Sequence, residues 1–172
     1  MQYGRALPAR QSGRAVRDLT ELNINEGGQP VTRPAPTDEQ IEAFERHFGL
    51  ELPVGHIALL RFSNGGHPEL NLVEPVGRPG AAAWGVGRFH HLSDDREAYE
   101  SLWKAIQVWR PFLGLYALPF ADDQNGNEFF LDLQFNPPPV RACIHDEGFR
   151  TVDIAPSLEV FIDRLKLDPD AI

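Results

Sequence analysis

The chemically capable residues of this chain are few and lie far apart. Asp122-Asp123-Gln124-Asn125-Gly126 has the make-up of a calcium loop, with carboxylates spaced around a glycine turn. With Gly126 in the sixth place, Asn125 and Asp123 fill the fifth and third. Ala121 then falls in the first place and Asp132, instead of Glu, in the twelfth. A tight hairpin turn explains the same residues, because Asn and Gly accept left-handed backbone and Asp caps turns. His90-His91 is a second metal candidate, but adjacent residues on a strand point to opposite faces and do not readily share an ion. His67, Cys143 and His145 lack zinc-ligand spacing. Cys143 and His145 lie two apart on an expected strand and share a face. A reactive thiolate also needs an activating environment and an oxyanion site, and no pattern here supplies them. Cys143, beside Ala142 and Ile144, reads more simply as a small buried residue. Glu42/Glu45 and Asp94/Asp95 pair carboxylates where helix starts and exposed faces attract them anyway. No P-loop, nucleophile elbow or dinucleotide fingerprint occurs. The reading is a non-enzyme without metal or cofactor. A small metal-dependent hydrolase built around His90, His91 and Asp122 is the enzymatic alternative.

The composition sets the frame for these residues. A length of 172 residues with 42% hydrophobic and 24% charged side chains suits one soluble domain with a real core. The single cysteine excludes an internal disulfide and fits a reducing compartment. No apolar run approaches the roughly 18 residues of a membrane span. The opening MQYGRALPARQSGRAV has no hydrophobic signal core, which predicts an unexported, cytoplasmic protein without membrane contact. The net charge of −9 is uneven: residues 1–36 hold five Arg against three acidic residues, and the remainder holds 11 basic against 22 acidic. An acidic body repels nucleic acid phosphates and attracts basic proteins. The five Arg are scattered, without interleaved aromatic residues, and do not point to nucleic acid.

Residues 1–36 read as a weakly structured arm, in which Arg14–Leu22 could form a brief helix with Val16, Leu19 and Leu22 three apart. Gly27-Gly28 and TRPAP (32–36) interrupt it. Thr37 and Gln40 make a capping box for a helix over 38–48, whose Ile41, Phe44 and Phe48 form a stripe ended by Gly49. A second helix follows Leu52-Pro53. Ile57 and Leu60, with Val54 as a third candidate, fall on one face, and Asn64-Gly65-Gly66 stops it. His67–Val76 suggests a short edge strand and Trp84–His91 a weak or bulged one. Ser93 or Asp94 caps a helix over about Asp95–Trp109, with Tyr99, Leu102, Trp103, Ile106 and Trp109 on its apolar face and Pro111 as its end. Leu115–Phe120 and Glu128–Gln134 pair across the 122–127 turn, and Val140–His145 pairs with Phe149–Ile154. Ser157 caps a closing helix with Leu158, Phe161, Ile162 and Leu165 facing inward. This order predicts a single-domain α+β fold, with a mostly antiparallel small sheet packed by an N-terminal helix pair, a central helix and a C-terminal helix.

Four stretches taken in order, TDEQIEAFERHFGLELP (37–53), ALLRFSNGG (58–66), YALPFADDQNGNEFFLDL (116–133) and SLEVFIDRL (157–165), resemble the Smi/Knr-type family of the SUKH superfamily. The likeness covers roughly Thr37–Leu165, which marks 37–172 as the expected domain. It rests on Leu52, Pro53, Asn64, Gly65, Gly66, Gly126 and Asp132 as motif positions, while His56 stands where an aromatic residue is expected. The resemblance implies a non-catalytic protein-binding role. Bacterial members are immunity proteins that neutralise toxin domains, often nucleases or deaminases, of polymorphic or contact-dependent systems. Fungal members are regulatory adaptors. An immunity protein facing a basic toxin domain is the first expectation, with an adaptor as the alternative. The charge pattern places partner recognition at Asp94, Asp95 and Glu97 and at Asp122 and Asp123, beside a loop and a turn, because such segments are exposed and free to vary. Nothing in the residues specifies an oligomeric state.

Overall fold

The computed structural model describes residues 17–171. Its scaffold is a five-stranded antiparallel sheet in the order β5-β6-β7-β8-β9, formed by Arg88–Phe89, Ala117–Asp122, Glu128–Asp132, Val140–Ile144 and Arg150–Ala155. The central strand β7 is buried along its whole length. Phe129 and Leu131 enter the main core, while Phe130 joins Ala105, Trp109, Ala117 and Cys143 in a second cluster on the other face. That alternation is the period-two pattern of a strand, carried out here on one covered on both sides.

Three of the helices arrive where the sequence predicts. Helix α1 (Asp38–Phe48) has both bonds of the Thr37/Gln40 capping box, and Gly49 closes it at φ 67°. Helix α2 (Val54–Phe62) follows Pro53, which sits at the cap itself. Its buried side is His56, Leu59 and Leu60, while Val54 is 85% exposed. The inward face is therefore rotated from the one expected, and a histidine lies in it. Helix α4 (Leu158–Arg164) is capped by the Ser157 hydroxyl, which accepts from the Val160 amide at 3.2 Å, and buries Leu158, Phe161 and Ile162.

Three sequence expectations change. The first concerns β3 (Leu70–Val73), which is no edge but the middle of a three-stranded sheet between β10 (Lys166–Leu167) and β4 (Trp84–Gly85). The chain's last strand returns to cover it. The second concerns Trp84–His91, which is two short strands, β4 and β5, in different sheets, because the chain crosses between sheets at Val86-Gly87. The third is helix α3, which spans Leu102–Leu113 instead of 95–109. Ser101 is its cap, accepting from the Trp103 amide at 3.1 Å. Pro111 lies inside its last turn and does not end it, as Leu113 packs on the second cluster. Burial there outweighs the preference of residues before proline for extended backbone.

Of the expected arm, residues 1–16, including Val16, lie outside the described residues. The rest is bonded to the body. Leu19–Leu22 is a 3₁₀ turn capped by Asp18, and Leu22 is wholly buried in the main core. Asn25–Glu26 (β1) and Gln29–Pro30 (β2) form a hairpin, and Asn25 exchanges two backbone bonds with His67 at 2.9 and 2.7 Å.

The Asn64-Gly65-Gly66 stretch does more than stop α2, whose cap is Ser63 in extended backbone. Asn64 is 2% exposed. Its Nδ2 donates to the carbonyls of Pro34 and Leu92, both at 2.8 Å, and its Oδ1 accepts from the Leu92 amide at 2.8 Å. Gly66, at φ 102°, lies so close to the hairpin that a Cβ would meet Val31 Cγ2 at 2.6 Å and Ile24 Cγ2 at 2.7 Å.

Two stability predictions follow from this packing. Leu22→Ala should cost about 2–5 kcal/mol in denaturant unfolding, the range for a fully buried leucine. Cutting the chain at residue 36 should then lower or broaden the melt. Asn64→Ala strands the N–H and C=O of the buried Leu92, each worth about 1–3 kcal/mol when left without a partner, and should lower stability by about as much as Leu22→Ala.

Candidate functional site

The loop joining His91 to α3 is closed at its base by one residue. The His91 amide donates to the Glu100 carbonyl at 3.0 Å, and its carbonyl accepts from Leu102 at 2.8 Å. Residues 93–100 are therefore a compact surface loop with its ends pinned together, an arrangement that suits a binding segment on a rigid scaffold. Ser93 tightens it, with its hydroxyl 3.1 Å from His91 Nδ1 and accepting from the Asp95 amide at 3.2 Å.

Asp94, Asp95 and Glu97 are all exposed on this loop. Asp94 accepts from Gln40 Nε2 of α1 at 3.2 Å, and Glu97 is 3.6 Å from Lys104. Arg96 is drawn off the carboxylates onto the Trp103 ring, 3.8 Å from its centroid. Tyr99, expected on the inward face of a helix, is 64% exposed on the same loop. Its phenol is held above its usual pKa by partial burial first and then by the carboxylates of Glu128 and Asp122, with Arg88 opposing. Gly87 lies against the 122–127 turn: it donates to the Asp122 carbonyl at 2.7 Å, and any Cβ there would collide with Asp122 Oδ1 and Gln124.

The two aspartates of the turn differ. Asp122 is half-buried at the end of β6. Asp123 is 7% exposed, and its carboxylate accepts from the Asn125 amide (2.8 Å), the Asn127 amide (2.9 Å) and Asn127 Nδ2 (2.8 Å). It is a turn cap, so the exposed acidic pair expected here reduces to Asp122. Gly126, at φ 88°, packs its α-carbon against the His145 ring. Asp132, at the far end of β7, is 8% exposed and accepts from Gln134 N and from Arg141.

Beneath the loop lies a group that sequence reasoning missed. Glu128 and His90 are 3% and 2% exposed and form a short buried bond between Glu128 Oε1 and His90 Nε2. Burial pushes the Glu128 carboxyl up to about 7 against the pull of His90, with Asp122 and Asp123 adding to the rise. Burial alone would depress His90, but Glu128, aided by Asp122, outweighs it and raises its pKa. The available signal was a glutamate two residues before Phe130, on a strand with phenylalanines on both faces, since a buried glutamate requires a partner. His56 is 1% exposed and falls to about 3, through burial first and His90 second. His91 falls to about 4, through burial and then Arg33.

The reactive alternatives are taken apart by the same geometry. His90 is sealed against Glu128, and His90 and His91 are both buried away from a substrate. Among the described residues, no group of three or more His, Cys, Asp or Glu is arranged to hold a metal ion. Burial, then Glu128, pushes the Cys143 thiol up to about 11, the opposite of an activated nucleophile. His145 lies beyond β8 and is engaged by Asn127 Oδ1 at 2.8 Å, not by Cys143.

A profile of the SMI1 / KNR4 family (SUKH-1) matches residues 35–164. The chain belongs to the SMI1/KNR4 family. No curated protein matches the chain closely enough to count as a relative. Membership supports a protein-interaction or immunity-type role in general, in a family that is generally non-catalytic. The match runs from just before the capping box of α1 to the end of α4. The SMI1/KNR4 region therefore includes both the acidic loop and the turn beside it. Among the described residues no helix is long and apolar enough to cross a membrane.

The buried histidines set a pH dependence whose sign can be worked out. His56 titrates near 6.5 when unfolded and near 3 when folded, so unfolding takes up a proton between those values. Its contribution to stability is present above about pH 6.5 and is lost as pH falls toward 3. Glu128 and His90 act in the opposite sense, since groups with raised folded pKa values favour the folded state at lower pH. Comparing His56→Leu with the wild type isolates one group. Between pH 6 and 4 the variant should lose stability less steeply, by about 1.4 kcal/mol per pH unit at most. Parallel urea-unfolding profiles for the two proteins would refute the assignment.

Proposed function

We propose that this SMI1/KNR4 protein is an immunity protein that binds and neutralises a toxin domain, and that the loop 93–100 with Asp122 is its contact face. The observation that carries the reading is a loop pinned at His91 that exposes Asp94, Asp95, Glu97 and the Tyr99 ring together. Carboxylates on a pinned loop present negative charge without a large ordering cost, and tyrosine is a favoured anchor in protein interfaces. A toxin domain acting on nucleic acid carries a basic cleft for phosphates, and this face complements such a cleft in charge. The acidic body, with 22 acidic against 11 basic residues beyond position 36, strengthens long-range attraction. The regulatory-adaptor alternative would use the same kind of face with a different partner.

The test is to express the toxin domain encoded beside this chain's gene, with and without the chain, and follow growth and co-elution. Protection and a stable complex are expected. Asp95→Asn with Glu97→Gln should slow association and flatten its salt dependence, whereas Tyr99→Ala should chiefly speed dissociation. Thermal stability should stay within about 0.5 kcal/mol for these exposed sites. Absence of protection with intact folding would remove the immunity reading.

A further inference from the structure

A second surface lies at the other end of α3, whose 12 residues separate it from the acidic loop by roughly 18 Å. There, Phe112 and Tyr116 are more than half exposed, and Leu115 and Phe135 beside them are equally bare. Scattered apolar residues on a surface mean little, but a contiguous aromatic group marks an interaction site. Phe112 and Phe149 stack face to face, with centroids 3.8 Å apart and planes within 8°. Phe149 holds this position at φ 58°, a left-handed backbone that is unusual for a bulky residue. Next to the stack opens a groove of about 230 Å³, with Phe130 and Ala117 among its lining and Asp132 and Arg141 at its polar side. That volume admits one long side chain.

The charge of the polar side selects the occupant. Arg141 is already shared between Asp153 (2.8 Å) and Asp132 (3.3 Å). Two carboxylates against one guanidinium leave a net negative charge, and the neighbouring Arg150 is closed on Glu147. An incoming anion would meet the Asp132 carboxylate in the lining and an Arg141 already engaged by two carboxylates. A cation would balance the excess charge and meet the negative faces of exposed aromatic rings, where a guanidinium is favoured most.

We infer that the groove between Phe112, Tyr116, Phe149 and Asp132 is an anchor site for an arginine side chain of a partner protein, flanked by apolar residues that cover Leu115 and Phe135. This surface is separate from the acidic loop face, so its failure and that of the immunity reading can be told apart.

The test uses the whole chain, labelled with ¹⁵N, titrated with three blocked tripeptides: Leu-Arg-Leu, Leu-citrulline-Leu and Leu-Glu-Leu. The arginine peptide should give saturable shifts at the amides of Tyr116, Gln134, Phe149 and Thr151. The isosteric citrulline peptide should bind at least fivefold more weakly, and the glutamate peptide more weakly still. Asp153→Asn removes one exposed carboxylate and should weaken the arginine peptide while leaving the citrulline peptide unchanged. Phe112→Ala, also at an exposed position, should weaken both. Equal binding of arginine and citrulline peptides would make the groove a purely apolar anchor and overturn the inference. So would preference for glutamate, absence of saturable shifts, or shifts at these amides that follow protein concentration and report a second copy of the chain.

Discussion

The side-chain amide of Asn64 is the interaction on which the arrangement depends. It is buried and satisfies both the N–H and C=O of Leu92 together with the carbonyl of Pro34, so three segments distant in sequence converge on one residue. Buried backbone groups without partners are costly, and Leu92 has both of its groups satisfied by this one amide. Leu92 is the residue from which the acidic loop departs, and His91 before it closes the loop. The loop's footing is therefore held by an amide at the end of α2, not by contacts within the loop. Gly65 and Gly66 beside it both take positive φ; a Cβ on Gly66 would collide with Val31 and Ile24, and one on Gly65 would press His91 Cβ at 3.1 Å.

Strand β7 distributes the rest. On its α3 side it presents Glu128, Phe130 and Asp132 in sequence. Phe130 packs under the helix with Ala105 and Trp109. Glu128, at one end, meets His90 beneath the loop, and Asp132, at the other, binds Arg141 at the edge of the aromatic groove. The face of β7 that Phe130 presents to the helix thus carries a charged residue at each end. The two ends differ in chemistry because one is sealed by the loop and the other is open. The sealed end holds a hydrogen-bonded pair that fixes the sheet edge, and the open end keeps its carboxylate available near the surface.

Much of the architecture was legible from the chain because it rests on local rules. The capping box at Thr37 and Gln40, the turn at 122–127 and the alternation through Phe129–Leu131 each involve residues within a few positions of one another. Their physics needs no distant partner. The acidic loop was only half legible: its charges were evident, but a helix was expected to begin at Asp95. The pattern Tyr99, Leu102, Trp103, Ile106 has helical spacing, and Tyr99 belongs to it only by coincidence. Pinning by His91 holds residues 93–100 outside the helix, and Ser101 starts it instead.

What the sequence alone determined, then, was the class of fold, the succession of helices and hairpins, the family motif and the acidity of the body. These depend on periodicity, caps and composition, which are properties of neighbours along the chain. Only the tertiary structure decided that Leu22 completes the core, that Glu128 pairs with His90 and that Tyr99 stands exposed on a loop pinned by His91. Each of these turns on a contact between residues far apart in sequence. Whether a carboxylate serves as a surface charge, a buried partner or a turn cap is set by what faces it, and the chain's order does not carry that information.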